Sequence, residues 1–84
     1  MKREGWLMDP RSRNTKYFHR DMTSWQQYPY IFIDTGKPMI AGPALLKHRE
    51  HLHIKDATKE WKRLRCEGWR PVEPQWGPQS DGFA

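Results

Sequence analysis

The chain has 84 residues, of which 36% are hydrophobic and 30% are charged, and its formal net charge is +5. This length allows one small domain, and the single cysteine excludes an internal disulfide framework and any cysteine-rich zinc module. No apolar run approaches the roughly 20 residues that a transmembrane helix needs, and the N-terminal residues do not form a signal peptide, so we expect a cytoplasmic protein with no membrane partner.

Charge is distributed unevenly along the chain. Basic side chains are in excess in residues 1–20 and 47–70, whereas residues 21–46 and 71–84 carry a slight acidic excess. Such a field attracts an anionic surface, which can be a nucleic acid or an acidic protein. A net charge of this size is also typical of small soluble domains. Charge alone therefore does not separate a binding role from simple solubility.

The first predicted element is a β-hairpin. Residues 6–8 are apolar, and residues 15–19 are rich in the β-branched and aromatic types that favour strands. The polar residues between them are typical of a turn, and they include Asn14, which is able to adopt a left-handed conformation. The following residues, 21–27, are mostly polar and predict a loop or a single helical turn.

The strongest strand is predicted over residues 28–34, and residues 35–38 are expected to close it as a turn. Its alternation makes both faces apolar, with Tyr30 and Phe32 on one side and Ile31 and Ile33 on the other. A strand with two apolar faces is typical of a central strand that is covered at least partly on each side.

Residues 56–67 predict the clearest helix. Asp56 is a good N-cap, since its carboxylate accepts hydrogen bonds from free backbone amides, and Gly68 stands where a left-handed residue follows a helix. Three apolar residues at i, i+4 and i+7 would form its buried stripe: Ala57, Trp61 and Leu64. The preceding residues, 44–54, fit either a short helix or an extended segment.

The remaining elements complete a two-layer domain. Two prolines keep residues 69–76 extended, and residues 77–84, which lack apolar periodicity, are expected to form a flexible C-terminal tail. We therefore expect a single α+β domain over residues 1–76, in which a small antiparallel sheet of three or four strands packs against one C-terminal helix.

Several short motifs follow one another along residues 5–76. They are Gly5-Trp6-Leu7, Phe18-His19-Arg20-Asp21 with Ser24-Trp25, the run from Pro29 to Gly36, Ala57, Trp61 and Leu64 with Gly68-Trp69, and Pro74-Gln75-Trp76. In this order they resemble a family of small uncharacterised proteins of marine unicellular cyanobacteria, catalogued as a domain of unknown function. The resemblance implies a small cytoplasmic protein with no assigned activity, cofactor or site, so it transfers no functional residue.

Three histidines lie close together in the sequence, at His48, His51 and His53. Neutral imidazole is a good ligand for zinc, nickel and copper. On a helix the first two would share a face, and on a strand the last two would do so. No carboxylate or cysteine is placed to complete the site, and the neighbouring cations oppose another cation. We expect a solvated face, with no metal and no cofactor.

Two further features carry chemistry in other proteins. Asp34-Thr35-Gly36 is the triplet of aspartic proteases, whose mechanism needs a second carboxylate close enough to share a proton. Strand-ending turn chemistry accounts for the triplet here without that function. Cys66 is expected on the basic side of the helix as a partly exposed thiol with no base placed to activate it. We therefore expect no catalytic residue and no enzyme.

The basic face of the predicted helix is the main candidate for binding. Lys59, Lys62 and Arg63 form one stripe, because residues three and four apart are neighbours on a helix. With Trp25 and Tyr28 as aromatic contacts, they predict a non-catalytic binding module, an accessory or regulatory protein that docks on an acidic or mixed protein surface.

The alternative function is nucleic-acid binding through the same stripe, extended by four N-terminal basic residues: Lys2, Arg3, Arg11 and Arg13. Exposed tryptophan or tyrosine rings would then stack on single-stranded bases. A small enzyme is the third possibility. The partner, the biological process and the oligomeric state are left open by the sequence.

Overall fold

The computed structural model describes residues 5–40 and 45–76. In these residues five strands form one antiparallel sheet, with one helix packed on one face. The elements are β1 (Gly5–Met8), β2 (Thr15–Arg20), β3 (Tyr30–Lys37), β4 (Leu45–His53), α1 (Ile54–Cys66) and β5 (Arg70–Pro71), and the strand order is β4-β3-β2-β1-β5. The predicted α+β class is confirmed, but the sheet has five strands rather than three or four. The tail predicted for residues 77–84 lies outside the described residues.

The predicted hairpin is present as β1 and β2, which pair antiparallel with Trp6 opposite Tyr17. The left-handed residue in its turn is Arg13, with φ of 65°, and not Asn14, which the sequence offered for this conformation. The reason is local pairing. The carbonyl of Asn14 already accepts from the backbone N–H of Asp9 at 2.9 Å, so the chain must complete its reversal one residue earlier.

Strand β3 is an interior strand of the sheet, between β2 and β4, with the face alternation that the sequence predicts. It continues to Lys37, so the turn predicted at residues 35–38 is wrong for its first three positions. Gly36 pairs with Thr15 inside the ladder. A Cβ at Gly36 would lie 2.5 Å from Cζ3 of Trp76. Glycine stands at this position because an indole ring lies directly over the strand, not because the chain turns.

The ambiguous segment forms β4, which pairs along its length with β3 and is the edge strand of the sheet. Helix α1 follows directly and begins at Ile54, two residues earlier than predicted. His53 is its N-cap, because Nδ1 accepts from the backbone N–H of Lys55 at 3.1 Å. Asp56 instead lies in the first turn, where a negative charge is favourable to the helix dipole.

The helix ends as predicted, with Gly68 in a left-handed conformation at φ of 102°. The backbone N–H of Trp69 donates to the carbonyl of Leu64 at 3.0 Å, and that of Gly68 donates to Arg65 at 3.1 Å. These two bonds satisfy carbonyls that the helix end would otherwise leave free. The chain then returns to the sheet as β5, which pairs with β1.

The core lies between α1 and one face of the sheet, and its buried side chains are Leu7, Phe18, Ile31, Ile33, Ala57 and Leu64. Trp61 packs at its margin, with its ring edge-to-face on Phe18 at 5.1 Å between centroids. The predicted helix stripe is therefore confirmed. Within residues 5–40 and 45–76, no helix has the length and apolar character needed to span a membrane.

Candidate binding site

The face of the sheet opposite α1 carries a continuous row of rings across four strands. In spatial order they are Trp6, Tyr17, His19, Phe32, His51 and Tyr30. The register of the strands creates this row, because it places Trp6 opposite Tyr17, and Phe32 between His19 and His51. We call this row the ring ladder.

Most neighbours in the ring ladder stack face to face. The centroids of Trp6 and Tyr17 are 4.1 Å apart with an angle of 14° between planes, and those of Phe32 and His51 are 4.6 Å apart at 23°. Each stacked face is covered by its neighbour. The ring ladder therefore stabilises the sheet and presents few free ring faces to a ligand.

A buried carboxylate lies within the ring ladder. Asp34 has no exposed surface, and its Oδ1 accepts from Nε of Arg49 at 2.6 Å. Its Oδ2 lies 2.9 Å from Nη2 of Arg49 and 2.7 Å from Nε2 of His19. The guanidinium also stands over the ring of Phe32, 4.5 Å from its centroid. This two-point pairing is the strong form of a carboxylate–arginine contact.

The charge of Asp34 follows from opposing effects. Burial by itself raises the pKa of this carboxyl, but the hydrogen bonds and charges of His19 and Arg49 outweigh burial and hold the pKa below its ordinary value. The hydrogen bond to Asp34 likewise raises the pKa of Arg49. Asp34 is thus an ionised residue that holds Arg49 and His19 in place. The interpretation of Asp34-Thr35-Gly36 as a strand-ending turn is wrong, because these residues lie inside β3.

The loop between β2 and β3 is organised by Asp21. Its Oδ1 accepts from the backbone N–H of Thr23 at 2.9 Å and from the hydroxyl of Thr23 at 2.6 Å, and its Oδ2 lies 2.9 Å from Nε2 of His51. The hydrogen bonds from Thr23, with a contribution from His51, lower the pKa of Asp21 against the opposing effect of burial. The hydroxyl of Ser24 closes the loop by donating to the carbonyl of Asp21 at 2.7 Å and accepting from the backbone N–H of Tyr30 at 3.1 Å.

This loop holds two large aromatic side chains in solvent beside a cavity. Trp25 is 76% exposed and Tyr28 is 64% exposed. The cavity has a volume of about 250 Å³ and is lined by Asp21, Thr23, Ser24, Trp25, Tyr28, Tyr30 and His51. We call it the loop pocket. The structure therefore brings together the two aromatic residues that the sequence predicts as contacts.

The predicted basic stripe lies elsewhere. Lys59, Lys62 and Arg63 are exposed on α1, whose opposite side packs on the sheet face away from the ring ladder. Arg63 is paired with Glu60 at 2.6 Å and with Glu67, and these hydrogen bonds raise the pKa of its guanidinium. The stripe and the loop pocket are thus on opposite sides of the sheet, and part of the stripe's charge is already neutralised.

The other predicted basic residues precede β2 in the sequence and are not part of α1. Arg11 and Arg13 are exposed in the β1–β2 turn. Lys2 and Arg3 lie outside the described residues.

The three histidines have separate surroundings. His48 is exposed on β4, His51 contacts Asp21, and His53 caps α1. Within the described part of the chain, no three histidine, cysteine, aspartate or glutamate side chains are grouped so that they would hold a metal ion. Cys66 is an exposed free thiol.

Sequence reasoning missed the residues that depend on strand pairing. His19, Asp34 and Arg49 lie on three different strands, and Tyr30, His51 and Asp21 meet only when β3 and β4 are aligned. The available signal was the alternation of aromatic and polar residues in β2 and β3, which marks one shared face.

The fold and this site define a small sheet-and-helix domain with a ring-covered second face and one exposed aromatic loop. The chain belongs to a protein family described as proteins of unknown function (DUF1651), which it matches over residues 4–76. No curated protein and no solved structure matches it. The predicted membership of a family without an assigned function is confirmed.

Proposed function

We propose that this protein is a non-catalytic binding module, an accessory or regulatory protein that docks on a partner protein through the loop between β2 and β3. The observation that carries the proposal is the exposure of Trp25 and Tyr28 beside the loop pocket. Large aromatic side chains dominate the energy of protein interfaces, and an exposed aromatic patch next to a cavity is typical of an interaction site.

The order of the loop supports this role. Asp21 and Ser24 fix the backbone on both sides of Trp25 through the hydrogen bonds described above. The backbone N–H of Tyr28 also donates to the carbonyl of Trp25 at 3.1 Å. A loop that is already ordered loses less conformational entropy when it binds, so more of its contact energy contributes to affinity.

The partner is expected to have an acidic or mixed surface because α1 exposes basic side chains. Lys59 and Lys62 remain exposed there, whereas Arg63 is occupied by Glu60 and Glu67. Because these lysines lie across the sheet from the loop pocket, they contribute to long-range attraction more than to the same contact. A mixed surface therefore fits the proposal better than a uniformly acidic one.

Nucleic-acid binding is the second candidate, and the surroundings of Trp25 weigh against it. Bases stack on aromatic rings in grooves whose positive charge follows the phosphates. The loop pocket instead contains the carboxylate of Asp21, whose lowered pKa keeps it negative at neutral pH.

The cytoplasmic location and the cyanobacterial origin that the motifs imply stay predictions.

Affinity capture from native lysate, with and without nuclease, tests the proposed function. We expect to capture a partner protein. Its capture should be unaffected by nuclease, lost with the Trp25→Ala variant and retained with the Met22→Ala variant. Met22 is 77% exposed on the same loop but does not line the loop pocket, so it is a matched control. Capture that disappears with nuclease and is insensitive to Trp25→Ala would support the nucleic-acid alternative instead.

A further inference from the structure

The loop pocket combines three aromatic side chains with a carboxylate. Trp25, Tyr28 and Tyr30 contribute rings to its lining, and Asp21 contributes the negative charge. The face of an aromatic ring attracts a cation within about 6 Å of its centroid, most strongly for tryptophan. Unlike the rings of the ring ladder, those of Trp25 and Tyr28 remain largely exposed. Rings and carboxylate therefore favour the same kind of ligand, an organic cation.

We propose that the loop pocket binds the alkylammonium group of a lysine side chain on the partner protein. This inference rests on the proposed function and names the chemistry of its anchoring contact. The ammonium group pairs with Asp21, and the four-carbon stem and the charge pack on the rings of Trp25 and Tyr28.

The hydrogen bonds of Asp21 favour ammonium over guanidinium. Oδ1 already accepts two hydrogen bonds from Thr23, and Oδ2 accepts one from His51. Among the bonds formed within the described residues, this leaves one acceptor position, on Oδ2. A guanidinium group binds carboxylates best through two parallel hydrogen bonds, whereas ammonium is a point charge that needs one acceptor. The carboxylate of Asp21 therefore suits lysine better than arginine.

The size of the loop pocket agrees with a single side chain. Its volume of about 250 Å³ is smaller than the roughly 300–1,000 Å³ of sites for drug-sized ligands. The side chain of Asp21 is 12% exposed, so the carboxylate borders the cavity without being fully hydrated. Partial removal of water strengthens both the ion pair and the contact between a cation and a ring.

NMR titration of the full chain with n-butylammonium chloride, which reproduces a lysine side chain, tests the proposal. We expect saturable shifts of the Trp25 indole N–H. n-Butanol, the neutral analogue, and n-butylguanidinium should each bind at least about tenfold more weakly, a difference that corresponds to about 1.4 kcal/mol. Sodium chloride at the same ionic strength controls for screening.

Three variants make the test specific. Asp21→Asn removes the charge but keeps the shape, and it should weaken butylammonium binding about tenfold or more. Tyr28→Leu removes a ring from an exposed position, so the fold is retained and butylammonium binding should fall while butanol binding does not. Met22→Ala should change neither butylammonium binding nor butanol binding. Melting temperatures are measured in parallel, because Asp21 also orders the loop.

Equal affinity for butanol, equal affinity for butylguanidinium, or unchanged butylammonium binding in Tyr28→Leu would each overturn the proposal. If butylammonium does not bind while capture of a protein still depends on Trp25, the inference fails and the proposed function stands. If capture does not depend on Trp25, the proposed function itself fails.

Discussion

The indole ring of Trp76 packs directly against Gly36 and fills the space that a side chain at position 36 would need. The indole ring lies where a side chain on Gly36 would be, with Cζ3 of Trp76 2.5 Å from the position of a Cβ. Trp76 also packs edge-on against Trp6, with 4.5 Å between centroids. The indole ring of Trp76 thus covers one end of the ring ladder, and the absence of a side chain at Gly36 in β3 permits this packing.

Gly36→Ala should therefore destabilise the fold by about 1–3 kcal/mol, because the added methyl group forces the Trp76 ring away. Urea denaturation of a double-mutant cycle checks this. Trp76→Ala should cost less in the Gly36→Ala background than in the wild type, since the clash has already displaced the ring. Additive free energies of unfolding would show that the two residues are not coupled.

Trp61→Ala should cost about 3–5 kcal/mol of unfolding free energy, because the ring joins α1 to Phe18 and to the backbone at Gly5. A domain of this size has a total stability of only about 5–10 kcal/mol, so the variant should be largely unfolded on warming. Calorimetry checks this, with the exposed Lys62→Ala as control. A native melting transition in Trp61→Ala would contradict the assigned helix face.

The ion pair of Asp34 predicts a pH dependence of stability. Its pKa is lower in the folded protein than in the unfolded chain. Its stabilising contribution is therefore fully present above the unfolded value, near pH 4, and is lost as the pH falls through the folded value. Asp34→Asn should cost about 1–3 kcal/mol at pH 7, because the hydrogen bonds from Arg49 and His19 lose their charged acceptor while the Arg49 side chain can still be hydrated.

Denaturation curves between pH 2 and 7 check this prediction. The wild type should lose more stability on acidification than Asp34→Asn, which has no carboxyl to protonate at this position. Asp9, Asp21 and Glu60 also have lowered pKa values, so the variant should keep part of the acid dependence. Identical pH profiles for the two proteins would rule out Asp34 as a stabilising ionised group.

One equivalent of Zn²⁺ should leave the melting temperature unchanged, because a metal raises stability only if it binds the folded state. His51 and His53 are occupied by Asp21 and by the N-terminus of α1, so they do not converge with His48. Differential scanning fluorimetry with and without zinc measures this. A sub-micromolar zinc affinity that disappears in a His48/His51/His53 triple alanine variant would refute it.

Local signals in the sequence predicted the elements that depend on local interactions. The hairpin strands, the apolar stripe on α1 and the left-handed Gly68 each follow from residues a few positions apart. Strand β4 could not be decided in this way, because its residues suit a strand only once β3 lies beside them.

The errors have the same physical origin. The role of Gly36 depends on Trp76, forty positions later, and the charge of Asp34 depends on Arg49 in the neighbouring strand. For the candidate site, the sequence suggested Trp25 and Tyr28 from residue type. It did not reveal the loop pocket, because the contact of Asp21 with His51 requires a sheet register that no local pattern specifies.

Site-specific photo-cross-linking is the decisive measurement of whether the loop between β2 and β3 is the docking surface. A benzophenone amino acid replaces the exposed Tyr28, and the control replaces Glu73, which is exposed beyond β5 at the opposite edge of the sheet from β4. We expect one protein to be cross-linked from position 28, and this product should resist nuclease, be lost in the Trp25→Ala variant and be absent from position 73. Equal cross-linking from both positions, or cross-linking to nucleic acid alone, would rule out this loop as the docking surface.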